Sequence, residues 1–552
     1  DGQPEIIALS SLERYRRTLA FARAGLTPAA IRVLGGGATQ FFIAGGNPEA
    51  KLKQTDVAFY FQDEWKVRPN FTLSPGLRYE NQNNIDSDYN FAPRIAFAWS
   101  PIFGRKKAAP AAPAPAAAAT APKTTTTAAT GTTATPAASP APAAAAAPPA
   151  GPPKTVFRGG VGVFYQRTGE DITLNSIRYN GTNQQQFLVT SPEVLDLFPL
   201  VPPIEVLDAF AQPQSRNVKN DDLASWRSLR FMFTVERSLP GNVKLSLTYM
   251  HVRTDRTMRF VNINAPLGGT FIPGVPTSGV RPLGAEAGNV FEYQSTGRSV
   301  GNNFSVNING TLKKVQFWGG YNLGKSRSTD SGQSGSPFDA YDFSNEFARG
   351  NFSTLNFIYA GGSYTAPGGI NLNMFLIGNS GQSFNITTGR DTNGDTRFSE
   401  RPAFATDLNE PGVVITPLVA FDPTPSPGQT IIPRNFGRAP GYFSVNLNVG
   451  KTFKFGRAIE PKSPPPGGPS TTPASGGDNK PPAKPPVQRP YAINIGINAV
   501  NIFNRVNKSA PVGNMSSPFF LQSPSGSNQF FFGPGGGSGG NRVITLRMRI
   551  SF

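Results

Sequence analysis

The stretch ITLRMRISF (544–552) alternates without a break. Ile544, Leu546, Met548, Ile550 and Phe552 fall on one face of an extended strand, and Thr545, Arg547, Arg549 and Ser551 on the other, because strand side chains alternate with period two. One face seeks an apolar medium and the other a wet one.

The same pattern recurs along the chain. In FTLSPGLRYE (71–80), Phe71, Leu73, Pro75, Leu77 and Tyr79 oppose Thr72, Ser74, Gly76, Arg78 and Glu80. VKLSLTYM (243–250) sets Leu245, Leu247 and Tyr249 against Lys244, Ser246 and Thr248, and FSVNING, YFSVNLNVGKTFKF and YAINIGINAV continue the theme. About thirteen such strands of about ten residues are predicted, enough to cross a bilayer when tilted. The fold class is therefore all-β; alternation alone does not separate an antiparallel transmembrane β-barrel from a soluble sandwich, and three further features choose the transmembrane β-barrel.

Three features favour lipid over a soluble sandwich. Aromatics stand near strand ends (Tyr60, Trp65, Tyr79, Trp99, Tyr165, Trp226, Tyr249, Trp318, Tyr359 and Tyr491), as in interfacial girdles. The polar faces are rich in Asn, Gly, Thr and Arg. Connections are also segregated: with Phe552 on the periplasmic side, the short turns VRPN (67–70), SLPGN (238–242), NGTL (309–312) and TAPGG (365–369) share that side. The long connections near 167–225, 254–297, 325–350, 384–439 and 505–540 lie outside.

Composition removes other classes. The 552 residues include no Cys and one His, so disulfides, thiolate metal sites and multi-histidine zinc sites are excluded, and His251 reads as a strand residue. A net charge of +18 admits nucleic acid in principle, but the basic residues are scattered and no nucleic-acid partner is expected. No run of 18 apolar residues encodes a membrane helix. Asp63, Glu64 and Glu80 read as rim charges, and GGVGV (159–163) lacks the helix and Lys-Ser/Thr of a phosphate loop. No enzyme is expected.

Two segments, about 105–154 and 457–489, consist largely of Ala, Pro, Thr, Gly, Ser and Lys; such composition is expected to stay disordered, and both segments fall at periplasmic turns. Residues 1–54 read as a loop segment with short helices, Thr27 capping the second and Gly35 stopping it, ahead of a barrel portion spanning 55–552. The start at Asp1 suggests a fragment or a processed product.

VAFYFQDEWKVRPNFTLSPGLRYE (57–80), NFAPRIAFAWSP (90–101), TVFRGGVGVFYQR (155–167), INAVNIFNRVN (497–507) and RVITLRMRISF (542–552) resemble the C-terminal part of TonB-dependent outer-membrane receptors, in the Oar-like group that carries a carboxypeptidase-regulatory-like domain. The resemblance implies an outer-membrane location, a lipid-bilayer surround, uptake of an extracellular ligand driven through TonB, and a barrel of roughly 22 strands around a plug. It implies further that Phe552 holds the place of the terminal aromatic read by the barrel-assembly machinery. No plug or TonB-contacting segment is visible in 1–54, so roughly nine strands and the plug are expected elsewhere. The alternative is a structural or adhesive outer-membrane barrel without transport.

One loop carries possible chemistry. GRDTNGDTRFSERP (389–402) places Asp391, Asn393 and Asp395 at alternate positions, the pattern by which oxygen ligands wrap Ca²⁺. Thr396 and Pro402 stand where an EF-hand loop has Gly and Glu, and an Asx turn explains the same residues. Calcium is the sole cofactor the sequence suggests. FFF (530–532), with Phe519 and Phe520, is expected to pack as a loop core.

Overall fold

The computed structural model describes residues 11–38, 40–101, 154–189, 191–197, 200–209, 214–273, 275, 278–329, 336–351, 353–426, 428–457, 489–523 and 540–552. The expected disordered insertions and FFF lie outside these residues, apart from the insertions' flanking positions.

A single large antiparallel wall dominates. Its strands in chain order are β1 (Asp56–Gln62, resumed at Trp65–Arg68), β2 (Phe71–Gln82), β3 (Asn90–Trp99), β4 (Thr155–Gln166), β5 (Trp226–Leu239), β6 (Val243–Asn262) and β7 (Asn289–Leu312). They continue with β8 (Val315–Ser328), β9 (Asn356–Ala366), β10 (Ile370–Asn379), β11 (Tyr442–Phe455), β12 (Tyr491–Val500) and β13 (Val543–Ser551). Each pairs antiparallel with its sequence neighbour from β1 through β13. With the two pieces of β1 taken as one, the wall has the thirteen strands that periodicity predicts. Among the described residues no helix is long and apolar enough to cross a membrane.

Register puts the apolar positions of all strands on one continuous face. Leu247 stands opposite Val235 and Val306, Val235 opposite Phe157, and Phe157 opposite Trp99. Large apolar side chains on this face are exposed, among them Phe59, Ile95, Phe231, Ile358, Ile497, Leu546 and Met548. An exposed apolar surface of this extent would be an aggregation hazard in water and is the ordinary exterior of a membrane barrel.

The aromatic residues divide between the faces. Trp65, Tyr79, Trp99, Tyr165, Tyr249 and Tyr491 keep the apolar side, whereas Tyr60, Trp226, Trp318 and Tyr359 fall in polar-face register. The girdle is thus smaller than the sequence suggests, because proximity to a strand end says nothing about parity. The Trp318 and Tyr359 rings lie tilted at 5.8 Å between centres, and those of Trp318 and Phe375 at 5.6 Å.

All the short turns lie at one end. Gly241 and Asn242, and Gly368 and Gly369, supply the positive φ that tight turns need. One turn is displaced: NGTL (309–312) stays in β7, and the reversal falls at Lys313-Lys314, with Lys313 at φ 54°. Gly310 is held in the ladder because a Cβ there would meet Val243 Cγ2 at 2.9 Å. Its small size is used for packing rather than for turning.

The other end carries a folded canopy. β6 and β7 run past the bilayer length; a register irregularity at Asp255–Arg259 marks the change, and Met258, Phe260, Phe291 and Tyr293 then form a core with Ile172 and Leu223. The helices Ser11–Arg23 and Pro28–Val33 and the strand Phe41–Gly46 belong to this end. Phe41–Gly46 pairs antiparallel with Gln184–Val189 of the long loop after β4, and Arg32 bonds Asp196 of that loop at 2.7 Å. The strand 41–46 is therefore spent in the canopy, not in closing the wall.

The wall is open. Every described side chain of β1 and β13 is exposed, and among the described residues each of these strands has a partner on one side alone.

Candidate functional site

Two surfaces can meet a solute: the polar face of the wall and the canopy above it. On the polar face Asn373, Asn448, Asn498 and Thr545 stand in one row across β10 to β13. A hollow of about 440 Å³ opens beside that row, lined by Trp318, Phe375, Asn373, Asn448, Asn498 and Arg547. Gly361 makes room for the indole, since a Cβ there would lie 2.5 Å from Trp318 Cζ2. Farther round, Arg158 pairs with Glu236 at 3.4 Å, and the Arg94 and Arg230 guanidiniums both lie 5.1 Å from the Phe164 ring centre. Amides, guanidiniums and hydroxyls suit a water-filled or protein-plugged interior.

In the canopy, the loop between β10 and β11 builds the most concentrated polar cluster. Asp391, Asp395 and Glu400 each present a carboxylate oxygen, all within 4.8 Å of one another. The loop folds this way because its acidic side chains capture its own amides. Gly394 and Thr396 donate to the two Asp391 oxygens at 2.7 and 3.0 Å, Arg397 to Asp395 Oδ1 at 2.7 Å, and Thr392 to Glu400 Oε1 at 2.9 Å. Thr396 sits at φ 62°, the left-handed conformation the sixth place of a calcium-wrapping loop calls for, although it is not glycine.

Asp391 and Asp395 thus come together as the spacing predicts, but Asn393 does not join them. Its Oδ1 accepts the Asp395 amide at 3.0 Å and its Nδ2 donates to the Phe338 carbonyl at 3.1 Å. Glu400 takes the third place. Sequence reasoning missed it because the EF-hand template puts the acid two residues later, at Pro402; the serviceable signal was any acid downstream of a D-x-N-x-D run.

Burial pushes the Asp395 carboxyl up to about 7, with the nearby Asp391 charge adding to the effect. Burial likewise pushes Glu400 up to about 8, the charges of Asp395 and Asp391 contributing. Asp391 rises in the same direction for the same first reason. Three carboxylates have been gathered, and the nearby Arg397 and Arg281 guanidiniums offset their mutual repulsion and burial only in part.

Neighbouring loops hold the cluster. Asn262 donates to the Asp395 carbonyl at 3.3 Å and Ser399 to the Pro337 carbonyl at 2.9 Å. Beside it, Arg401 and Glu346, both 2% exposed, pair at 2.8 Å, and Arg434 lies 3.9 Å from the other Glu346 oxygen. Phe520 meets Phe421 in a core with Ile386 and Ile432, so that phenylalanine packs as expected, whereas its neighbour Phe519 is exposed and does not join the core.

Among the described residues neither surface arranges a nucleophile beside a base. His251 faces the apolar side with Nδ1 2.8 Å from Asn302 Oδ1. Phe552 follows β13 and is 97% exposed.

An open antiparallel wall with an apolar exterior, a polar interior and a loop canopy at one end defines an outer-membrane β-barrel protein. The outer membrane beta barrel domain family matches residues 20–460, and the chain belongs to that family. Its place is the outer membrane.

Among solved structures, the chain is similar to the outer membrane transporter YddB from Escherichia coli, at 11% identity and TM-score 0.47, over 91% of this chain and 45% of that one. It is also similar to the ferric enterobactin receptor PfeA (mutant G324V) from Pseudomonas aeruginosa, at 8% identity and TM-score 0.43, over 90% and 45%. The siderophore receptor PirA from Acinetobacter baumannii shows 11% identity and TM-score 0.41, over 84% and 44%. The chain spans less than half the length of these structures. No functionally curated protein matches it.

Proposed function

We propose that this chain forms the C-terminal portion of the barrel of a TonB-dependent outer-membrane receptor, which admits an extracellular ligand bound by its canopy. The carrying observation is the open, two-faced wall. β1 and β13 both run towards the short-turn end, so joining them directly would place parallel neighbours side by side. Closing the wall with antiparallel pairs needs an odd number of further strands, and roughly nine would complete a barrel of roughly 22. A lumen of that width needs a plug, and the row of asparagines with the glycine-backed Trp318 offers it a hydrogen-bonding, closely approachable surface. Phe552, on the apolar side of the last strand by alternation, is the residue the assembly machinery would read.

In this reading no bond is made or broken; work reaches the plug from the inner membrane. The test is uptake by cells expressing the full-length protein, with labelled ferric siderophore, oligopeptide and oligosaccharide as probes, in TonB-competent and TonB-deficient backgrounds. Uptake of one probe that disappears without TonB supports the reading. Surface adherence conferred by the protein, with no probe entering in either background, points instead to an adhesive barrel.

A further inference from the structure

We infer that Asp391, Asp395 and Glu400 form a Ca²⁺ site in the canopy loop between β10 and β11, an ion that ties three outer loops together.

Geometry comes first. Ligand oxygens lie about 2.3–2.6 Å from Ca²⁺, so two on opposite sides of one ion are separated by about 5 Å and adjacent ones by less. The three carboxylate oxygens, all within 4.8 Å of one another, meet that condition together.

The second observation is an unanswered oxygen. Glu400 is 2% exposed, and its Oε2 has no hydrogen-bond partner, while its Oε1 is held by the Thr392 amide. A buried polar oxygen left unpaired is costly, and a cation bound in place of the carboxyl proton satisfies it. Asp395, 3% exposed, is equally removed from water.

Charge points the same way. Among the described residues no Lys or Arg forms an ion pair with any of the three carboxylates; the nearby cations have other engagements. Arg397, whose charge acts on Asp395, lies over the Phe291 ring at 4.2 Å; Arg281, whose charge acts on Asp391, donates to the Asn264 and Gly394 carbonyls at 2.7 and 3.4 Å; and Arg401 pairs with Glu346. An all-oxygen donor set with no imidazole or thiolate selects a hard cation. Three clustered carboxylates suit Ca²⁺ better than Mg²⁺, which keeps several of its waters.

The position explains the use. Asn262 ends β6, Ser399 holds the loop that begins after β8, and the carboxylates belong to the loop after β10. An ion there fixes the three loops' mutual placement at the outer end, where extracellular Ca²⁺ sites bind at about 10⁻⁴–10⁻³ M.

The test is equilibrium dialysis of the full-length protein, purified in detergent and stripped with chelator, against radioactive Ca²⁺. One ion per chain is expected, lost or weakened at least about tenfold in Asp395→Asn and in Glu400→Gln, and unchanged in Asp407→Asn, an exposed acid of the same loop. Retention of the wild-type affinity in both cluster variants, or no binding by wild type at 5 mM Ca²⁺ (about five times the weakest expected constant), overturns the assignment. Should the variants fail to fold, limited proteolysis of wild type decides: protection of 380–441 by Ca²⁺ and not by Mg²⁺ supports the site, and identical digestion with both ions overturns it.

Discussion

Leu247 and Ser246 are adjacent in the chain and lie on opposite sides of the wall, Leu247 beside Val235 and Val306 and Ser246 beside Glu236 and Asn307. If the apolar side meets hydrocarbon, Leu247→Arg destabilises the barrel by about 2–4 kcal/mol in urea unfolding from lipid vesicles, and Ser246→Arg changes little. Equal losses would mean that both faces are buried in protein. A second residue-scale expectation concerns Glu346. Its removal leaves Arg401 and Arg434 buried without their carboxylate, so Glu346→Ala is expected to cost about 3–5 kcal/mol. A urea midpoint unchanged from wild type would show that water reaches the two guanidiniums. Facing was legible where alternation is unbroken, as over 243–250, since period two needs only local sequence. Glu400 was not, because which acid folds back onto Asp391 depends on hydrogen bonds to Thr392 and on loops from elsewhere.

Single strands and turns were legible to different degrees. The tight turns at 240–242 and 367–369 announce themselves by Pro-Gly-Asn and Pro-Gly-Gly, whose φ > 0 positions are filled by residues that tolerate them. The reversal after β7 was misplaced because Asn309-Gly310 has turn chemistry, yet the glycine is needed where Val243 approaches it. Parity of Trp318 and Tyr359 was equally hidden until register was known. The hairpin β3–β4 gives an element-scale prediction. Arg94 to Trp99 pair with Gly162 to Phe157 whatever joins them. Replacing 108–150 by a short turn should therefore leave the heat-modifiable, folded band on an unboiled gel intact, because loop closure depends weakly on length. Loss of that band would assign the segment a structural role.

For the whole molecule, the strand count was readable and the closure was not. Periodicity counts strands one at a time, whereas closure depends on partners for β1 and β13. Phe41–Gly46, the strand of the N-terminal segment, is occupied by Gln184–Val189. Unpaired edges in hydrocarbon leave backbone groups unsatisfied at several kcal/mol each, so these 552 residues expressed alone should aggregate rather than insert. Recovery of a monodisperse, heat-modifiable barrel from this chain alone would contradict that expectation and the larger-barrel proposal with it. The central claim, that one face of this wall lies in lipid and the other lines an aqueous or plugged interior, has a direct measurement. These 552 residues contain no Cys, so, with any Cys outside them replaced, spin labels can be placed one at a time at positions 244 to 249 of β6 in the full-length protein reconstituted in bilayers. Oxygen accessibility should be high at 245, 247 and 249 and low at 244, 246 and 248; accessibility that shows no two-residue period, or peaks at the even positions, would contradict the account.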